Sequence, residues 1–300
     1  MTHSLIIPVM NELHETKGIM ELLKKVTTPD VEFVFIDNGS TDDWETFIYR
    51  YLKPKKVQYI RNEENIGLVK TMQQGYEKTN SDIITYIHND VFLYENAWNR
   101  QVENLLSQDD IGTIGAFGSG GVYPNGGRSQ IETDRNKAPG LSNMLEAEVH
   151  GTRIEKGSHC FASIFDGFLM SVKRELLDKT GGFDQQYEWH HFYDRDLCLE
   201  SLRHGYKNVV YAFDCHHVSG RTANQAHYQK MIKDKYPKGK YDHTNKYEGD
   251  KATHDDNMWK FEQKWGEVLP VHVDRKTGEF INRAPYIGDK IVGYGLQEEK

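Results

Sequence analysis

Only three cysteines, Cys160, Cys198 and Cys215, occur in 300 residues, and no two form a CxxC pair. That scarcity argues against a disulfide framework or a zinc knuckle and suits a reducing compartment. Long apolar runs are also missing. The first one, Leu5-Ile6-Ile7-Pro8-Val9, is too short for a signal-peptide core and follows no basic stretch. No run reaches the length that spans a bilayer, so no transmembrane segment is expected. The expectation is a soluble chain of the cytoplasm, with peripheral association with a membrane left open. Positive charge is in deficit: 37 Lys and Arg face 45 Asp and Glu, a net charge of -8. No global basic field draws nucleic acid to such a chain. An anionic substrate would need a local device, either a metal ion or backbone N–H groups.

Apolar residues at 37% and aromatics at 12% suffice for a sizeable core, while a mean hydropathy of -0.72 signals a generous polar surface or long loops. The length is long for one core and short for two. The expected layout is one α/β domain of about 200 residues with a C-terminal extension.

A repeated pattern fills the first half. Residues 4–9, 31–36 and 83–87 are apolar, β-rich runs of the kind buried on both faces of a sheet, and 57–60 is a shorter one. Helix-period positions lie between them: Ile19, Leu22, Leu23 and Val26, then Trp44, Phe47, Ile48 and Tyr51, then Val69, Met72 and Tyr76. Such alternation implies an α/β fold with a single doubly wound, mostly parallel sheet and right-handed crossovers. Each strand stops on a polar cluster. These are Met10-Asn11-Glu12, then Asp37-Asn38-Gly39-Ser40-Thr41-Asp42, then Asn62-Glu63-Glu64-Asn65-Ile66-Gly67, then His88-Asn89-Asp90.

Ligands of open α/β sheets bind beyond the carboxyl ends of the strands, so these clusters would line one pocket. A carboxylate such as Asp90 can hold a divalent cation there, and the cation a diphosphate. The competing role for Asp90 is to cap the next helix, and for Asp37 to form a turn before Gly39. Ser40, Thr41 and Asp42 are capping candidates for the helix through Trp44.

The second half is less regular. Trp98, Val102, Leu105 and Leu106 predict a helix, and 111–117 a strand. The glycine-rich stretch 118–127 reads as a mobile loop or lid rather than a dinucleotide fingerprint. Residues 128–158 are polar and poorly periodic. Regularity returns over 161–172, in a helix over 174–179 ending on Gly181, in a helix from Leu197 to His204, and in a strand over 209–213. Beyond 222 periodicity is weak until an amphipathic turn or two at 259–265. His216 and His217 form a strand-end pair, of which His217 is favoured. His190, His191 and His254 show no regular zinc-ligand spacing and read as surface or acceptor-side residues.

The ordered motifs resemble family 2 glycosyltransferases of the GT-A fold. Pro8-Val9-Met10-Asn11-Glu12, Asp37 to Asp42 and Asn62 to Gly67 are similar to the nucleotide-binding half. His88-Asn89-Asp90-Val91 stands where the family has Asp-x-Asp. Gly181-Gly182-Phe183-Asp184, Tyr193-Asp194-Arg195-Asp196-Leu197-Cys198-Leu199 and His217-Val218-Ser219-Gly220-Arg221-Thr222 are similar to the acceptor half. A rhamnosyltransferase-like subgroup is left open. The resemblance implies a glycosyltransferase domain over 1–222, divided into a nucleotide-sugar-binding half (1–117) and an acceptor half (118–222), with 223–300 as an extension packed on the core.

It also implies inverting transfer of a hexosyl or deoxyhexosyl group from a UDP-, dTDP- or GDP-linked sugar to a carbohydrate acceptor, with Mn²⁺ or Mg²⁺. Asp90 and His217 would be the metal contacts, Asp37 would bind the donor base and Asp194 would be the general base. Donor contacts would come from Pro8, Asn11, Glu12, Gly39, Ser40, Asn65, Gly67, Lys70 and Asn89. Asp166 and Gly167 would lie near donor sugar and acceptor; separately, the aromatic- and His-rich 187–193 segment, with Trp189 and His191, and the irregular 128–158 region suggest a carbohydrate acceptor, since sugars stack on aromatic faces. Two departures stand out: His88 replaces the first acid of the metal motif, and Tyr193 replaces the usual Glu before the base.

One carboxylate with an imidazole can suffice for a hard cation, because phosphates and water complete its shell. Asp194 and Asp196 lie two apart and diverge on a helix, so only one faces an acceptor; Asp194 is assigned to chemistry and Asp196 to structure or a secondary polar contact. Two other classes compete. A sugar nucleotidyltransferase would need a basic glycine-rich loop after the first strand, which Met10-Asn11-Glu12 does not supply. A non-catalytic nucleotide- or glycan-binding module would explain the missing acid at His88.

Overall fold

The computed structural model describes residues 1–52, 56–128, 154–218 and 224–281, and the backbone alone at 129, 140–142, 151–153, 283–284, 286–287, 290–291 and 294–295. The first half alternates as expected: β1 (His3–Val9), α1 (Leu13–Val26), β2 (Glu32–Asp37), α2 (Trp44–Tyr51), β3 (Val57–Arg61), α3 (Leu68–Glu77) and β4 (Ile83–Ile87). A short β5 (Val91–Leu93) and α4 (Trp98–Leu106) lead to β6 (Ile111–Gly115). The small strands β7 (Gly118–Ser119), β8 (Gly121–Val122), β9 (Arg128–Ser129), β10 (Gly140–Ser142) and β11 (Gly151–Arg153) follow. Then come β12 (His159–Ala162), β13 (Ile164–Phe165), β14 (Leu169–Lys173), α5 (Arg174–Thr180), α6 (Tyr193–Arg203), β15 (Lys207–Tyr211) and β16 (Cys215–His217). Two helices, α7 (Ala226–Lys235) and α8 (Gly249–Trp265), and β17 (Val271–His272) lie in the C-terminal part.

Eight strands form the central sheet in the order β12-β15-β6-β14-β4-β1-β2-β3. β14 runs antiparallel to both β4 and β6, and β12 antiparallel to β15; the other strands run one way. Strand side chains alternate between faces, and the core divides accordingly. Leu5, Ile7, Val9, Phe33 and Phe35 pack against α1, α2 and α4. Ile6, Val34, Ile36 and Tyr86 pack on the other face with α3, α5 and α6. Fully buried Trp98 donates its indole N–H to Thr27 Oγ1 at 2.9 Å, pinning α4 to the end of α1.

Three local expectations need correction. Stretch 118–127 is not a loose lid at its start, because residues 118–122 are buried in two short strands. A side chain at Gly118 would put its Cβ 2.4 Å from the carbonyl oxygen of Ile164, so glycine serves close packing there. Helix α6 begins at Tyr193, placing Asp194 and Asp196 in its first turn.

The largest miss is α8, seventeen residues where one or two turns were expected. Its buried face includes Asp255, Asp256, Asn257 and Lys260. Asp256 accepts from the Lys240 N–H and Thr244, and Lys260 donates to the Gln186 carbonyl. A helix buried through hydrogen bonds carries little apolar periodicity. Phe261 and Trp265 of α8 join the same core cluster as Ile6 and Tyr86.

Candidate active site

Buried β4 delivers His88, Asn89 and Asp90 to the edge of the sheet. No helix starts there: the chain turns back into β5, and α4 begins only at Trp98, so Asp90 caps nothing. β5 pairs antiparallel with β16, with His217 opposite Val91. This register sets Nε2 of His217 3.2 Å from Oδ1 of Asp90. The Phe168 ring stacks on His217 with centroids 4.4 Å apart, and its carbonyl accepts the His88 N–H at 2.9 Å. His216, the other half of the pair, is exposed.

His88 Nε2, Asn89 Nδ2, Asp90 Oδ1 and His217 Nε2 are all buried, and none makes a hydrogen bond. Asp90 and His217 are close enough for an ion pair, yet their geometry is not that of a good hydrogen bond. Burial and the His217 ring push the His88 pKa down to about 4. Burial also pushes the Asp90 carboxyl up, but His217 and His88 outweigh it and hold it below its ordinary value. Buried polar atoms left unpaired cost roughly 1–3 kcal/mol each, and a shared ligand would remove that cost.

The β1, β2 and β3 ends are tied to one another. Asn11 accepts from the Thr41 N–H at 2.7 Å, its own N–H reaches Ser40 Oγ, and its carbonyl accepts the Trp44 indole N–H. Asp42 accepts the first N–H of α1, from Leu13, while Asp43 caps α2 through Thr46. Asn38 donates to Asn65, which accepts in turn from the Gly67 N–H. Pro8, Asn65, Gly67 and Asn89 line a cleft of about 360 Å³ with His88, Asp90 and His217.

The other residues expected on the donor side are not among its lining. Glu12 precedes α1 at φ 62°, Gly39 turns at φ 83°, Ser40 is engaged by Asn11, and Lys70 is exposed in the first turn of α3. Asp37, expected to bind the donor base, is engaged within the protein. It is fully buried and accepts from Tyr59 Oη at 2.5 Å, Arg61 at 2.8 Å and the Ser40 N–H at 2.7 Å. It braces the strand ends and does not line the cleft.

Asp194 sits in the first turn of α6 and is not among the cleft-lining residues. Its Oδ2 accepts from the Gly167 N–H at 2.9 Å, and Oδ1 from the Arg195 N–H at 2.8 Å. The Gly167 N–H therefore orients the carboxylate. Gly167 has to be glycine, since a Cβ would fall 2.4 Å from the Tyr193 hydroxyl. Burial raises the Asp194 pKa, and the neighbouring Asp166 carboxylate adds to the rise. Asp166 is paired with Arg128, whose guanidinium lies 4.4 Å over the Phe117 ring. Asp196 points elsewhere, to the Trp265 indole, Tyr187 and Lys264, in keeping with a structural role. Residues 166–168 thus join the two halves of the site: Gly167 holds Asp194, and Phe168 holds His88 and His217. Ser219 to Thr222, the end of the last motif, lie outside the described residues.

The remaining wall contains Trp189 and His191, both expected at the sugar end, together with His190, Tyr228 and Asp250. Trp189, His191 and Phe192 have φ of 69°, 77° and 68°, a left-handed conformation that non-glycine residues adopt at a cost of about 1–3 kcal/mol each. Asn257 of α8 holds this turn. It accepts the Glu188 N–H at 3.0 Å and donates to the carbonyls of Glu188 and His190. Gly67 leaves room for the turn, because a Cβ there would lie 3.0 Å from Trp189 Cα.

Trp189 donates to Tyr228 Oη at 2.6 Å, so its indole is part of the wall. His190 and His191, read from the sequence as surface or acceptor-side residues, line the cleft and come within 2.7 and 3.2 Å of Asp250 Oδ1. Burial and His190 push the His191 pKa down to about 4, and the two imidazoles hold Asp250 below its usual range against its burial. Trp189-His190-His191 was visible as a cluster in the sequence. Tyr228 and Asp250 carried no such signal.

The sequence model of the family described as "Glycosyl transferase family 2" matches residues 4–181. An uncharacterised protein of Sinorhizobium fredii is 24% identical over 219 residues, 69% of this chain and 23% of that protein. An uncharacterised glycosyltransferase of Haemophilus influenzae is 29% identical over 116 residues, 38% of this chain and 46% of that protein. The chain therefore spans less than half the length of either relative. Among solved structures, a mannosyltransferase of Pyrobaculum calidifontis in complex with GDP-Man and Mn²⁺ superposes with a TM-score of 0.50 at 18% identity, over 73% of this chain and 58% of that one. GalNAc-T7 with UDP, GalNAc and Mn²⁺ gives 0.56 at 16%, over 72% and 43%. At such identities the likeness speaks for the fold alone.

Proposed function

The chain belongs to glycosyl transferase family 2 and has the GT-A fold, and from that premise we propose that it is a metal-dependent, inverting transferase. It moves a sugar from a UDP-, dTDP- or GDP-linked donor to a hydroxyl of a carbohydrate acceptor. One observation carries this reading: four buried, unpaired polar atoms, three just beyond β4 and one on β16, belong to residues that line the cleft. His88, Asp90 and His217 each offer a donor atom, all within 4.8 Å of one another, so the residues fit a divalent ion. Two imidazoles beside one carboxylate favour Mn²⁺ over Mg²⁺. When bound, the ion supplies positive charge against the charge that builds on the departing diphosphate.

This chain's own residues do the rest. The Asn38–Asn65 pair and the glycine turns at 39 and 67 shape the donor side of the cleft. Gly167 keeps Asp194 oriented to accept the acceptor's hydroxyl proton as the hydroxyl oxygen bonds to the sugar carbon. In the same displacement the bond from that carbon to the diphosphate oxygen breaks, on the opposite face, which inverts the centre. A base with a raised pKa is better matched to this task near neutral pH than an ordinary aspartate.

Incubation with UDP-, GDP- and dTDP-sugars and Mn²⁺ tests the proposal. Release of a nucleoside diphosphate from one donor, lost in Asp90→Asn, is expected. No release and no stabilisation by any of the three overturns it.

A further inference from the structure

We propose that His190, His191 and Asp250 form a second metal site, for a first-row transition ion, on the C-terminal wall of the same cleft. Their donor atoms lie within 4.8 Å of one another. Nε2 of His190 and Nε2 of His191 approach the same oxygen, Asp250 Oδ1, at 2.7 and 3.2 Å. An ion bound at about 2.0–2.2 Å spaces adjacent donors roughly 3 Å apart, so little rearrangement separates this cluster from a ligand set. Two imidazoles and a carboxylate select zinc, manganese, iron or cobalt over magnesium and calcium.

The backbone is shaped to make the cluster. Consecutive residues of an extended strand point to opposite sides. Here left-handed turns at Trp189 and His191 bring the two rings to 3.9 Å between centroids. Asn257 fixes that turn from α8, the helix that also supplies Asp250. His190 is also oriented from behind, its Nδ1 lying 3.4 Å from the Tyr228 hydroxyl, which leaves Nε2 for Asp250. Metal-bound histidines are regularly oriented by such a partner on the other ring nitrogen. All three residues line the cleft, so positions not filled by protein face the space where an oxygen of a bound molecule completes the shell.

The inference concerns ion binding and stands apart from the transferase reading. Metal-stripped protein is dialysed against Co²⁺, bound metal is counted by mass spectrometry, and the visible Co²⁺ bands are recorded. Far-UV circular dichroism in chelator confirms that each variant is folded. Wild type is expected to bind two equivalents, Asp250→Asn and His190→Gln one each, and Asp90→Asn the other one. Should Asp250→Asn not fold, His190→Gln gives the same reading.

The proposal is overturned if both variants bind as much Co²⁺ as wild type, or if wild type binds one equivalent that Asp90→Asn abolishes. If Asp90→Asn keeps two equivalents while Asp250→Asn loses one, the second site stands and the metal role at Asp90 fails.

Discussion

Oδ1 of Asp90 lies 3.2 Å from Nε2 of His217, yet both atoms are buried and neither makes a hydrogen bond. The strand pairing His217↔Val91 enforces the approach. Buried polar atoms without a hydrogen-bond partner carry a desolvation cost, which a cation bound by both would remove.

Metal removal is predicted to abolish nucleotide binding while leaving the fold intact, because the core on both sheet faces owes nothing to the ion. In chelator, none of UDP, GDP or dTDP should raise the melting temperature. With Mn²⁺, one of them at a hundred times its Kd should add about 2.7 kcal/mol of stability. A nucleotide-dependent shift of equal size in chelator contradicts the prediction.

Asp194→Asn is predicted to lower kcat by roughly 10²–10⁴-fold, the usual contribution of a general base, with donor affinity unchanged. The pH dependence follows from the direction of its shift. Burial and Asp166 raise the Asp194 pKa, so the carboxylate form is lost at a higher pH than for an ordinary aspartate. Activity should therefore fall as pH is lowered through a value above about 3.9, and a rate profile flat to pH 4 rules this base out.

Asn257→Ala is predicted to loosen the 188–192 turn without touching the β4 tip. It removes one acceptor and several donor contacts to the backbone. Buried carbonyls left unpaired should cost about 1–3 kcal/mol in a denaturant titration. Acceptor KM should rise more than the Mn²⁺ requirement changes; an unchanged acceptor KM argues against this wall's role.

Gly67→Ala is predicted to be more damaging than a surface glycine change. Its φ is 86°, and the new methyl would meet Trp189 at 3.0 Å. Strain of about 1–3 kcal/mol, read as a lower urea midpoint, is expected. Gly18→Ala, in a helix with nothing within 4 Å of the added atom, should be neutral or stabilising.

The sequence exposed the half of the fold that obeys simple periods. Buried strands 3–9, 32–37 and 83–87 and their polar ends were legible because apolar runs stop sharply on Asn, Asp and His. Asp90 and His217 could be paired only through resemblance, since β5 and β16 are three-residue strands with no periodicity of their own. Asp37 was legible as a strand-end carboxylate, while its partners Tyr59, Arg61 and Ser40 were not, because two of them lie more than twenty residues away. The C-terminal wall stayed hidden for a different reason. α8 is buried through Asp256, Asn257 and Lys260, polar residues whose partners lie far away in the chain.

Phosphorus-31 NMR of a bound nucleoside diphosphate, with Mn²⁺ as the paramagnetic probe, tests the Asp90–His217 claim most directly. The account predicts that substoichiometric Mn²⁺ broadens both phosphate resonances in the wild-type protein, and that Asp90→Asn removes the broadening and the binding together. Tight nucleotide binding with sharp resonances in Mn²⁺, unchanged in Asp90→Asn, would contradict it.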